Sequence, residues 1–496
     1  MRNSLKRILY RAALACTLVV FSLGDCAGFA QTPTSNLPWT YLLLNDSYLL
    51  DDCPTCDRVP IQVPMRGTFN LRLIEENPIS SSYAVEDIQF TARDRLYRVT
   101  GSGTFEIGGE VALILQMFLQ VQIDDGLTNK VCYFTNTAGK VERALPMIDL
   151  TLGQTNGTFA QVFTLRLVAA PVREIWFSTA ISFTATVGQT ASNFILGGDL
   201  ISTSARVVKR NSDLFTSVGA FPPAPDVGLD AVDILPGGEI AFSLGSDILS
   251  GTLGSLQHGD LLSNKGRILR RNQDLLARFV VQPPVPDTGL DAIHILDTGE
   301  ILFSIQMNIF SEQLGITLHR GDVLSSTGTI LRSNPQLLAQ FHSTNAVTDY
   351  GLDALYIWPN GEIWFSTEDS FQDQLLGPIS AGDLLSDQGY IVFRNLELLN
   401  AFAPRQALTN FGLDALYVVT DATAPAPPPL LGIMAEPSAR TVRLTWQGLG
   451  RVFQVERGDV VNGPYQPLSP ILPELFFDDL ETLTNRAQSY YRLRQW

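Results

Sequence analysis

Residues 351–366 read Gly-Leu-Asp-Ala-Leu-Tyr-Ile-Trp-Pro-Asn-Gly-Glu-Ile-Trp-Phe-Ser. The first half is rich in aromatic and branched residues with a period of two, which fits a strand with one face buried. Pro359-Asn360-Gly361 is a tight-turn signal, and Glu362 to Thr367 returns antiparallel, so the stretch is a β-hairpin. After a variable loop come Gly382-Asp-Leu-Leu-Ser386 and Tyr390-Ile-Val-Phe393 across another glycine turn, then a helical turn carrying Leu398, Leu399 and Phe402. One unit is therefore about four strands and a short helix.

The unit recurs. Gly-Leu-Asp-Ala places its aspartate at Asp230, Asp291, Asp353 and Asp414, spaced 61, 62 and 61 residues apart. Gly-Asp followed by two apolar residues falls at Asp199, Asp260, Asp322 and Asp383, and Asn211, Asn272, Asn334 and Asn395 keep the same spacings. Glu-Ile-x-Phe-Ser begins at Glu174, Glu239, Glu300 and Glu362. Such self-similarity is the signature of a repeat architecture. The four asparagines read as helix N-caps, with Pro335 at the first helical position after Asn334. The four glutamates sit just after a hairpin turn, where exposure is expected.

The repeated aspartate is a stronger candidate for a site. Each has an acidic or amide residue four positions earlier: Asp226, Asp287, Asp349 and Asn410. Oxygen-bearing side chains at this spacing could face a hard cation such as Ca2+, with Asp230, Asp291, Asp353 and Asp414 as ligands. The alternative is that each binds local backbone N–H groups as an Asx turn.

Whole units start at Gly228, Gly289 and Gly351. The chain enters the array at Glu174 without a preceding Gly-Leu-Asp-Ala and leaves with an extra Gly412-Leu-Asp-Ala-Leu-Tyr-Val-Val419. An orphan strand at the end and a unit lacking it at the start predict ring closure, with the fourth unit built from both ends. Pairing of residues 412–419 with Glu174–Ser178 is then required. A linear array, with Thr164 to Ala169 as the extra strand, is the alternative. The Asp-Ala opening, the unit length and the copy number resemble the hemopexin-type four-bladed propeller over residues 163–420. That resemblance implies architecture alone.

The first thirty residues set the expected compartment. Arg2, Lys6, Arg7 and Arg11 precede an apolar run from Ala12 to Gly24, and Gly28-Phe29-Ala30 supplies small residues for cleavage. This is the pattern of a signal peptide over residues 1–30 and predicts a secreted or periplasmic protein. Four basic residues and one acidic residue leave with it, so 34 basic and 50 acidic residues become 30 and 49. A surface this acidic argues against nucleic acid and anionic lipid as partners. Val111 to Ile123 alternates and reads as a strand, so no membrane insertion is expected after cleavage.

Of the cysteines beyond the leader, Cys53 and Cys56 have C-x-x-C spacing and Cys132 stands alone. Export favours a Cys53–Cys56 bridge. A zinc site would lack its remaining ligands nearby, and a redox site would want a helix where Asp57-Arg58-Val59-Pro60 stands.

Residues 31–162 read as a separate β-sandwich or barrel, with alternating runs at Gly67–Leu73, Arg95–Gly101, Val111–Ile123 and Lys130–Thr135. Residues 163–421 are the repeat domain and 422–429 a Pro-rich linker. In residues 430–496, Thr441–Trp446, Val452–Glu456 and Ser489–Arg494 resemble the B, C and F strands of a fibronectin type III-like sandwich, with Trp446 and Tyr491 matching its core Trp and F-strand Tyr. The resemblance implies a small spacer or adhesive module.

The chain contains no Gly-x-Ser-x-Gly, His-Glu-x-x-His or phosphate loop. A carboxylate pair in the repeats would suffice for a carbohydrate-active enzyme, but its two acids must differ in surroundings. The repeated acids are equivalent, whereas Glu368, Asp369 and Asp373 belong to one unit and fall in a polar loop. The leading expectation is a non-catalytic extracellular binding, adhesion or scaffold protein, presenting loops to a polysaccharide or a protein.

Overall fold

The structure is a computed structural model. It describes residues 38–496 apart from 78, 93–96, 110–113, 138, 141–145, 187–192, 222–225, 345–348, 423–425, 437–440 and 481–487. The expected leader, the Arg95–Leu96 and Val111–Leu113 ends of two expected strands and Thr423-Ala424-Pro425 of the linker lie outside the described residues. The protein is all-β, with helices confined to short turns within the repeats. No helix among the described residues is long and apolar enough to cross a membrane.

The N-terminal part is a barrel. Its strands are β1 (Trp39–Leu43), β2 (Tyr48–Asp52), β3 (Ile61–Glu76), β4 (Ser80–Ala92), β5 (Tyr97–Gly108), β6 (Ile114–Asp124), β7 (Asn129–Thr135), β8 (Ile148–Gln154) and β9 (Val162–Phe177). Antiparallel pairing runs β1-β3-β4-β5-β6-β7-β8-β9, and β9 returns to β1 through Leu42 opposite Ala170. Closure removes the open edges that a sandwich would retain. Alternation along each strand sends Phe69, Tyr83, Phe90, Phe105, Phe134 and Phe163 inward, so side chains fill the lumen. Cys53 and Cys56 are joined by a disulfide, and Cys132 is free and buried on β7.

β9 belongs to two structures. From Val162 to Pro171 it pairs within the barrel, and from Glu174 to Phe177 it pairs with β10 (Leu416–Thr420). The register shifts between Val172 and Glu174, beside Pro171, which has no N–H to give a ladder. The expected boundary at residues 162/163 therefore falls at the start of a barrel strand, and the change of partner comes near Val172. Thr164 to Ala169 lie opposite β8 in the barrel and are not the extra repeat strand.

Ile175 faces Val418 and Trp176 faces Tyr417, so the strand left over at the end of the repeats supplies the one missing at their start. The result is four four-stranded antiparallel sheets: β10 with the end of β9, 200–202 and 206–209; then 232–235, 239–242, 261–263 and 267–270; then 293–295, 301–303, 323–325 and 329–332; then 354–357, 363–366, 384–386 and 390–393. The first strands of neighbouring sheets contact one another around a closed circle, including the last with the first.

The shared residues fasten one unit to the next. The serine of each Glu-Ile-x-Phe-Ser donates its hydroxyl to the leucine carbonyl of the following Gly-Leu-Asp. Ser178 reaches Leu229 at 2.7 Å, Ser243 reaches Leu290 at 2.8 Å, Ser304 reaches Leu352 at 3.1 Å and Ser366 reaches Leu413 at 2.8 Å. All four serines are fully buried. The glutamates are less exposed than expected: Glu362 is buried and Glu174, Glu239 and Glu300 are half-buried. Each accepts from the serine of its own third strand, Ser202, Ser263, Ser325 or Ser386, and Glu362 is 1% exposed with Trp364 and Tyr390 also donating to it.

The asparagines are not N-caps. The caps are Arg210, Arg271, Ser333 and Arg394, and each asparagine is the first helical residue. Its backbone N–H goes to the Gly-Asp carboxylate, at 2.9 Å for Asp199, 3.0 Å for Asp260, 3.1 Å for Asp322 and 2.9 Å for Asp383. In three units its amide also spans to the next loop: the oxygen accepts from Val227, Tyr350 or Phe411 and the nitrogen donates to Gly228, Gly351 or Gly412.

Beyond the ring, strands 430–436, 441–447 and 476–479 form one sheet, and 466–467, 453–458 and 490–495 form a second. Trp446 is buried between them, its ring tilted against Phe453 with the centroids 5.7 Å apart. The carbonyls of Ala426 and Pro427 accept from Gln495 Nε2, so the end of the Pro-rich segment is held against this sandwich. The sandwich docks on one end of the ring. Arg451 donates to the carbonyls of Ile234 at 2.5 Å and Ile295 at 3.3 Å, and Arg206 donates to the Ile471 carbonyl at 2.5 Å.

Candidate functional site

Four loops converge at the opposite end of the ring axis. Each begins with an Asx turn: Asp226 Oδ1 accepts from Gly228 N at 3.1 Å, Asp287 from Gly289 at 3.3 Å, Asp349 from Gly351 at 3.0 Å and Asn410 from Gly412 at 3.0 Å. These glycines have φ between 72° and 81°, left-handed values that an L side chain resists, so the motif requires glycine there. The two oxygen-bearing side chains of each unit thus have separate tasks. The first closes the turn, and the second, two residues beyond the glycine, is released toward the axis.

Asp230, Asp291, Asp353 and Asp414 feel one another there. Burial raises all four carboxyls above the ordinary value of 3.8: Asp230 to about 6, Asp414 to about 7, Asp353 to about 9, and Asp291 well above it. For Asp353 the next causes are the charges of Asp414, Asp291, Glu368 and Asp230; for Asp291 they are Asp230 and Glu368. Repulsion among aspartates from four different units is the electrostatic mark of their convergence.

The residues around this ring are not four-fold. Two positions after each repeat serine stand Ala180, Gly245, Gln306 and Glu368. Just before each Gly-Asp stand Gly197, His258, Arg320 and Ala381. Gln306 Nε2 donates to Asp230 Oδ2 at 3.0 Å. Arg320 pairs with both Glu368 and Asp369. His258 Nδ1 lies 2.9 Å from Asp247 and 2.9 Å from Asp287, a geometry satisfied by one N–H shared between two carboxylates. Sequence reasoning left Glu368 in a solvated loop. Its side chain is 25% exposed and belongs to the axial cluster. The sequence signal was available: it is the one carboxylate at a position that is Ala, Gly or Gln in the other units.

Asp291, Asp353 and Glu368 each offer a carboxylate oxygen within 4.8 Å of the others. Asp291 is 5% exposed and its Oδ2 has no hydrogen-bond partner, and Glu368 Oε1 is likewise buried without one. Leaving two such oxygens bare is costly unless something positive meets them. Three carboxylates from three loops, with Gln306 and Asp230 beside them, suit a cation that takes six to eight oxygens.

The chain is an all-β protein defined by this ring and its acidic axial end. No family model matches it, and no curated protein matches its sequence. Among solved structures, the extracellular domain of a one-component system of B. thetaiotaomicron aligns over 92% of this chain and 95% of that one, at 9% identity and a TM-score of 0.19. The extracellular domain of a hybrid two-component system of the same organism aligns over 87% and 75%, at 10% identity and a TM-score of 0.18. Likeness at that level carries nothing about fold or function.

Proposed function

We propose that the protein is a secreted, non-catalytic binding protein. In this reading the four-sheet ring is a β-propeller platform of the hemopexin-like kind, and its acidic axial end holds a Ca2+ ion. The observation that carries the cation is the pair of orphaned oxygens, Asp291 Oδ2 and Glu368 Oε1, inside one carboxylate cluster. The four repeated aspartates supply charge, and Glu368 fixes the ion toward two of the units. The unequal rim of Gln306, His258 and Arg320 surrounds the ion with specific contacts, which suits presentation to an extracellular polysaccharide or protein. The fibronectin-like sandwich and the barrel serve as flanking modules.

Calorimetric titration of chelator-stripped protein with CaCl2 tests the cation. One site per chain, strongly weakened in Asp291→Asn and Glu368→Gln, supports it; no heat above dilution refutes it. A second reading rests on the same cluster. Asp353, raised to about 9, and Asp230, raised to about 6, are no longer equivalent acids and come from non-neighbouring units of the ring, and a protonated and an ionised carboxyl flanking the scissile bond is what glycoside hydrolysis needs. Release of reducing ends from a polysaccharide panel, abolished by Asp353→Asn, would establish that alternative.

A further inference from the structure

At the end of the axis away from the aspartates, the ring and the C-terminal sandwich enclose a cavity of about 1000 Å³. Its wall contains the fourth residue of each Asp-Ala strand: Asp233, His294, Tyr356 and Tyr417. The repeat holds one residue type at Asp230, Asp291, Asp353 and Asp414, yet three positions further on the four copies carry an acid, an imidazole and two phenols. Trp358 and Trp496 complete an aromatic lining. His294 packs edge-on to Tyr356 at 5.2 Å and Tyr356 to Trp358 at 5.0 Å.

Charge in this cavity is already committed. Asp233 accepts from the backbone N–H of Ile234 at 2.7 Å and of Ile295 at 2.6 Å. Arg451, entering from the sandwich, meets Asp233 at 3.5 Å and Asp297 at 2.8 Å. A charged guest would lose its hydration without gaining a free counter-charge. The phenols are different: no described residue hydrogen-bonds the hydroxyls of Tyr356 and Tyr417, which burial and nearby charges alone shift upward. An apolar, aromatic wall with a few polar tips, at a junction between two parts of a chain, is the usual make-up of a small-molecule pocket.

We propose that this cavity binds a small, neutral, aromatic molecule bearing a hydroxyl or carbonyl oxygen. It is a site separate from the acidic end and independent of the cation. The ring systems of Tyr356, Tyr417 and Trp496 contact the flat faces of the guest, and the two phenols hydrogen-bond its oxygen. Leu449, which lines the cavity while remaining 64% exposed, stands on its solvent side.

The test uses the full mature chain and 2-naphthol as probe, with 2-naphthoate and 2-naphthylmethylammonium as charged counterparts, read by saturation-transfer NMR. Saturation of 2-naphthol with little of either ion is expected. Leu449→Trp fills the cavity from an exposed position and should weaken 2-naphthol at least tenfold with an unchanged melting temperature. Tyr356→Phe/Tyr417→Phe keeps the rings, and should weaken 2-naphthol several-fold while leaving naphthalene unaffected. Absence of transfer to 2-naphthol, equal transfer to the ions, or indifference to Leu449→Trp each overturns the proposal.

Discussion

The two ends of the ring axis differ in what repetition has been allowed to keep. At one end every unit presents the same carboxylate, Asp230, Asp291, Asp353 or Asp414. At the other, the same four strands present Asp233, His294, Tyr356 and Tyr417. Four like charges forced together by symmetry cannot all be satisfied by protein, so the acidic end needs an external cation or protons. Four unlike groups can satisfy one another: Asp233 is met by Arg451 and backbone amides, and the rings pack edge to face. Symmetry creates an electrostatic demand; its loss creates a shaped, mostly apolar surface.

The largest expected effect breaks both ends together. A chain ending at Asn410 lacks β10, and with it Asp414, Tyr417 and the Ser366-to-Leu413 bond, so cooperative melting of the ring should disappear. A chain ending at Ala422 keeps β10 and should retain Ca2+ binding while losing the naphthol site, whose Arg451 and Trp496 are gone. Equal melting of the two truncations would contradict closure.

Point changes should then separate the ends. Asp291→Asn is expected to weaken Ca2+ by about 100-fold, or ~3 kcal/mol, in calorimetry, whereas Asp233→Asn leaves Ca2+ binding unchanged. The pH dependence has a definite sign. The acidic-end carboxyls titrate above their ordinary 3.8, so the folded state holds more protons than the unfolded. Their contribution is favourable below 3.8 and is lost as pH rises through about 6, 7 and 9. Melting temperature in chelator should therefore fall between pH 5 and pH 9, and saturating Ca2+ should flatten that fall. A chelator melt that rises steadily over this range would remove the carboxylate ring from consideration.

Smaller effects calibrate the scaffold. Ser366→Ala removes one inter-unit bond and should cost about 1 kcal/mol, or up to ~3 kcal/mol if the Leu413 carbonyl stays dry. Arg267, 58% exposed beside Glu239, should matter by no more than about 0.5 kcal/mol when replaced by alanine. Both are readable from urea midpoints.

What could be read in the sequence was what repeats or alternates locally. The hairpin at 351–366, the four units and the orphan strand 412–419 all rest on short-range pattern, and they imply the pairing of residues 412–419 with Glu174–Ser178, whose register the structure sets at Ile175 opposite Val418. Roles that depend on a partner one unit away were misread. Asn211 and its counterparts look like caps because the helix follows them, yet their side chains serve the loop of the next unit. Glu362 looks exposed because it follows a turn, yet Ser386 and Tyr390 come from strands folded over it. Whether residues 31–162 make a sandwich or a barrel depends on Leu42 meeting Ala170, which no local signal encodes. At the site, the four aspartates were visible through repetition. Glu368 and the tyrosines of the other end are visible only where the copies disagree.

The junction of β9 and β10 also has a mechanical meaning. The barrel hangs from the start of the ring's share of β9, and the sandwich leaves from the end of β10. Because the strands are antiparallel, Glu174 lies opposite Val419, and both loads enter at the same end of the pair. A pull between the flanking modules would open this seam like a zipper, one rung at a time, the weak direction for a β-pair. At the fork itself Arg173 grips Asp421, which also holds Arg494 and Trp496. That buried clasp is where tension between the two ends of the chain would first be resisted.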